Sequence, residues 1–121
     1  MLMLARNPAA AYRRVELDAR IEASGSGDLT RICLEEAAGA LGTALAALDR
    51  GLPVPSHPLA RAQSILLWLA QSVAPAHPLS ASLKAFYGGL AGRAGASILQ
   101  PDAQALSEIQ SDIRDVLAAA G

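Results

Sequence analysis

The sequence predicts an all-α protein: an antiparallel four-helix bundle with a short additional N-terminal helix, forming a single domain over residues 1–121. Three observations carry this expectation. Apolar residues recur at three- and four-residue spacing in four long segments, the period of a helix with one buried face. Proline and glycine gather mostly between those segments, and no stretch reads as a strand. Hydrophobic residues make up 52% of the chain but aromatics only 3%, so much of the apolar content is alanine. Alanine favours helix and supplies little buried area, which predicts a thin, closely packed core. A chain of this length can still bury about two-thirds of its unfolded surface.

The N-terminal segment, 1–23, opens on Met1-Leu2-Met3-Leu4 and then Asn7-Pro8, a plausible cap followed by a proline at the first helical position. Tyr12, Val15 and Ala19 share one side of a short, highly charged amphipathic stretch. Ser24-Gly25-Ser26-Gly27-Asp28 breaks it and offers Ser26 or Asp28 as the next cap. The bundle is expected over 29–119. Its first helix, 29–49, carries two adjacent stripes: Leu29, Cys33, Ala37, Ala40, Ala44 and Leu34, Ala38, Leu41, Leu45, Leu48. Two stripes make the wide apolar face of a helix with two neighbours. Gly51 stops it, and Pro53, Pro55 and Pro58 delay the next helix, for which Ser56 is the expected cap. The last helix, 102–119, follows Gln100-Pro101-Asp102 and repeats Leu106, Ile109, Ile113, Val116/Leu117, with Asp and Gln on the opposite side.

Between these lies the stretch around which the chain is organised. Residues 58–73 place Leu59, Ala62, Ile65/Leu66, Leu69 and Val73 on one stripe; residues 78–98 do the same with Leu79, Leu83, Phe86/Tyr87, Leu90, Ala94 and Ile98. Two such helices joined by a short turn bury a common seam. Leu67 and Trp68 are apolar beyond that need. They lie about 200° and 100° around the helix from Leu69, so they cannot both face the same core, and at least one is expected to be exposed. Gly88, Gly89, Gly92 and Gly95 strip side chains from the second helix, where each glycine costs about 1 kcal/mol relative to alanine. An apolar surplus and a smooth helix face together predict a surface for a partner.

The formal net charge of −1 argues against nucleic acid as a partner, because phosphate binding needs a basic excess or a basic face. Arg13–Arg14 is the only adjacent basic pair and reads as a solvated surface. No apolar run approaches the roughly 18 residues that would span a bilayer, and Met1–Arg6 lacks the basic start and long apolar run of a secretion signal; a cytoplasmic protein without membrane insertion is expected. Cys33 stands alone, which excludes an internal disulfide, and its place on a stripe reads as a small buried hydrophobe. His57 and His77 each adjoin a proline at a helix entrance and match no metal-ligand spacing. Glu35–Glu36 point about 100° apart on a helix and do not form a working carboxylate pair. No enzyme activity, metal or cofactor is expected.

Several stretches resemble one family. Ala11-Tyr12-Arg13-Arg14-Val15 is similar to the Ala-Tyr-x-x-Val start of the FliS-type flagellin export chaperones. Asp28-Leu29 with Glu35 and Ala37 downstream resembles that family's Glu-Leu…Leu-Tyr-(Asp/Glu)-Gly-Ala helix. Arg61-Ala62-Gln63-x-Ile65-Leu66-x-x-Leu69-x-x-Ser72-Val73 resembles its Lys-Ala-x-x-Ile-Ile-x-x-Leu-x-x-Ser-Leu, and Leu83-x-x-Phe86-Tyr87 its Asn-Leu-x-x-Leu-Tyr. The family's Leu-Tyr in the second motif is Cys33-Leu34 here, and Gly89 stands where the family has an aromatic, so the likeness is to a divergent member. The resemblance implies a cytoplasmic, non-catalytic bundle. Such a bundle binds the disordered C-terminal segment of flagellin, prevents early polymerisation and delivers the client to an export-gate protein. It implies a gate-docking role for Tyr12 and partner-binding roles for Ala62, Ile65, Leu69, Leu83 and Tyr87, beside the Leu67, Trp68, Gly88 and Gly92 singled out above. A monomer or weak homodimer is expected. The other reading open at this level is a homodimeric helical adaptor or regulator whose surplus apolar face is the dimer seam.

Overall fold

The structure, a computed structural model, describes residues 26–120. They form four helices, α1 Ser26–Asp49, α2 Ser56–Ser72, α3 Ser80–Leu99 and α4 Ala103–Ala120, with no strand among the described residues. The chain divides into two units, Met1–Ile32 and Cys33–Gly121. The expected N-terminal helix and Tyr12 lie outside the described residues.

The helix limits follow from local chemistry. α1 starts earlier than expected: Ser26, Gly27 and Asp28 form its first turn, with the Asp28 carboxylate near the positive end of the helix dipole. It ends at Gly51, the only described residue with positive φ (67°). Gly51 N–H bonds the Leu48 carbonyl at 3.0 Å and Leu52 N–H the Ala47 carbonyl at 2.9 Å, the paired bonds of a Schellman stop, which needs a left-handed residue and therefore favours glycine. α2 begins at Ser56, not after it. Pro55 takes the cap position in extended backbone and no side chain caps the turn, so the expected Ser56 cap is corrected.

α3, by contrast, starts later than the expected residue 78. His77 N–H bonds the Ala74 carbonyl, and the His77 Nδ1 accepts the Leu79 N–H at 3.0 Å. This local turn holds Pro78 and Leu79 outside the helix, and Leu79, expected on the buried stripe, becomes its exposed N-cap. At α4 the Asp102 Oδ1 accepts the N–H groups of Gln104 (3.0 Å) and Ala105 (3.4 Å), so Asp102 is the cap rather than the first helical residue.

In the second unit, α2 packs along most of α3, and α3 packs over a shorter stretch on α4. Seven large side chains are essentially fully buried: Leu34 and Leu41 of α1, Leu59 and Leu66 of α2, and Leu106, Ile109 and Ile113 of α4. Each contributes about 1.5–3 kcal/mol of hydrophobic stabilisation. Alanines fill much of the remainder, among them Ala37, Ala44, Ala62, Ala91 and Ala94 at zero exposure.

Two polar ties cross this core. Arg61 Nε donates to Glu36 Oε1 at 2.9 Å, joining α2 to α1 in a part-buried ion pair. Gln110 Nε2 donates to the Ala38 carbonyl at 3.0 Å, fastening α4 to α1. Gln110 was expected on the solvated side of α4. It lies half-buried over Gly42, where a Cβ would sit 3.2 Å from its amide nitrogen.

Candidate partner-binding surface

The orientation of α2 is set by Leu66 and Leu69, both buried. With 100° per residue, the direction into the core runs between them, and Leu67 and Trp68 each stand about 130° away from it on opposite sides. Neither can reach the core. Accordingly Leu67 is 44% and Trp68 43% exposed. Ser72 Oγ donates back to the Trp68 carbonyl at 2.7 Å.

The remaining expected site residues of α2 and α3 divide into core and margin. Ala62, Leu69 and Tyr87 are buried, so in this conformation they belong to the core and present no surface. Ile65 and Leu83 are half-buried. The Tyr87 ring meets Phe86 edge to face, with centroids 5.5 Å apart and planes at 62°, and burial pushes its phenol above the ordinary range. Gly88 is half-exposed and Gly92 exposed.

The four glycines of α3 are not equivalent, although their spacing groups them. A Cβ at Gly88, Gly89 or Gly92 would meet nothing within 4 Å. A Cβ at Gly95 would overlap the side-chain amide of Gln63. Gly95 therefore makes room for the Gln63 side chain of α2, while the other three face open space. Together with Ala81, Ala85 and Ala96, all exposed, they make an outer face of small side chains, with Leu99 exposed at its end. Lys84 and Arg93 are the only charges in α3.

Elsewhere among the described residues, several polar groups are committed within the fold. Cys33 is buried. Burial pushes its thiol above the ordinary value, Arg61 opposes that shift and Glu36 adds to it, so the thiolate needed for nucleophilic chemistry is disfavoured. Glu35 is exposed and Glu36 is paired with Arg61. A groove of about 630 Å³ at the α3–α4 corner is lined by Arg93, Ser97 and Asp102 among others. Its Arg93 is paired with Glu108 at 2.6 Å and its Asp102 caps α4; none of the expected site residues lines it. Among the described residues no cluster of His, Cys, Asp and Glu could hold a metal, and no buried side-chain polar atom lacks a partner. Among them, too, no helix is long and apolar enough to cross a membrane.

No family model matches the chain, and no curated protein or solved structure matches it. The likeness to flagellin export chaperones rests on the four sequence motifs alone.

Proposed function

We propose that the protein is a non-catalytic helical chaperone of the cytoplasm. On this reading it holds an apolar segment of a client against the outer surface of α2 and α3, the client being the C-terminal segment of a flagellin. The observation that carries the reading is the exposure of Leu67 on the α3 side of α2, next to glycines whose Cβ positions meet nothing, with Trp68 exposed further round the outer surface of α2. The client class comes from the sequence resemblance.

The reading takes α2 and α3 as an antiparallel pair within a four-helix bundle. The link between them is short, residues 73–79, and Gln63 lies over Gly95. In that register, one turn from Gln63 toward the link comes Leu67, and one and two turns from Gly95 toward the link come Gly92 and Gly88. Leu67 then stands beside bare helix backbone, and the two form one shallow groove. A client that folds on docking inserts apolar anchors at helical spacing into such a groove. Between Arg61 and Arg93, Lys84 is the only formally charged residue, so an apolar segment would meet few charges to desolvate.

Trp68 is the only tryptophan in the chain and reports on its own surface. Adding a flagellin C-terminal peptide to the full-length protein is expected to shift its emission to shorter wavelength, saturably and at one-to-one stoichiometry. A concentration-independent spectrum would overturn the chaperone reading. A stable dimer by native mass spectrometry, with no affinity for the peptide, would favour a homodimeric adaptor that uses the same surface as its seam.

A further inference from the structure

We draw no further inference here: the strongest candidate, the outer face of α3 at Gly88, Gly89 and Gly92 beside Leu67 of α2, belongs to the surface already proposed, and nothing else in the structure shows what covers it.

Discussion

Helices α3 and α4 are of similar length and solve the problem of facing water in opposite ways. α4 is two-sided. Leu106, Ile109 and Ile113 are fully buried, while Ser107, Glu108, Arg114 and Asp115 are exposed. α3 supplies none of the seven large, fully buried side chains; its inner face is Tyr87, Leu90, Ala91, Ala94 and Ser97. Its outer face is nearly as apolar as its inner one, and Leu99 at its end is 91% exposed. A helix that is apolar all round is ordinarily buried all round. α4 is thus complete as a structural element among the described residues, whereas α3 keeps a face that those residues do not use.

The largest expected effect tests the structural side of that contrast. Ile109→Ala removes a side chain at zero exposure and is expected to destabilise the protein by about 2–5 kcal/mol, read as a lower urea midpoint with an unchanged slope. A loss below about 1 kcal/mol would show that α4 is not anchored as described.

Next in size is the outer surface. Trp68→Ala and Leu67→Ala, at side chains 43% and 44% exposed, are each expected to destabilise the protein less than Ile109→Ala does. Trp68→Ala should nevertheless weaken client binding by about 2 kcal/mol or more, roughly thirtyfold in Kd by titration calorimetry. If Trp68→Ala lowers the melting temperature as Ile109→Ala does, the side chain belongs to the fold and the contrast fails.

Helix entrances give a smaller, paired test. Asp102 Oδ1 accepts hydrogen bonds from two backbone N–H groups of α4, whereas Ser56 caps nothing. Asp102→Ala is expected to cost about 1 kcal/mol, and Ser56→Ala close to nothing. Equal losses in thermal unfolding would contradict the caps described here.

The same entrances show what could be read from the sequence. The stripes of α2 and α4 were legible because a buried helix face imposes its period on side-chain choice, and Leu59, Leu66, Leu69, Leu106, Ile109 and Ile113 all lie in the core. Gly51 was legible because only a left-handed residue makes that stop. The start of α3 was not, since the His77 side chain competes for a backbone N–H, and sequence spacing does not reveal that local bond. Gln110 was misread for a related reason: a glutamine beside an apolar stripe looks solvated until the Ala38 carbonyl, 72 positions away, is placed beside it. On the candidate surface, the surplus at Leu67 and Trp68 followed from angular arithmetic. That Ala62, Leu69 and Tyr87 are consumed by the core depends on how α2 and α3 meet, which no motif records.

The glycines of α3 give the finest test, because identical substitutions should differ in sign. At Gly88 and Gly92 the backbone is helical and a Cβ meets nothing. Alanine there restricts the unfolded chain and should stabilise the protein by about 0.5–1 kcal/mol at each position. At Gly95 the same gain is opposed by overlap with the Gln63 amide, so Gly95→Ala should be neutral or destabilising. Gln63→Ala, by removing that obstacle, should restore the gain in the double variant. Binding supplies the second half of the test. Gly92→Leu is expected to leave the fold intact while blocking the flagellin C-terminal peptide, because its side chain would fill the space beside Leu67. Full affinity in Gly92→Leu would remove the α3 face from the proposed site and leave only α2. A loss of affinity without a loss of stability would explain why α3 keeps bare backbone where alanine would make a more stable helix.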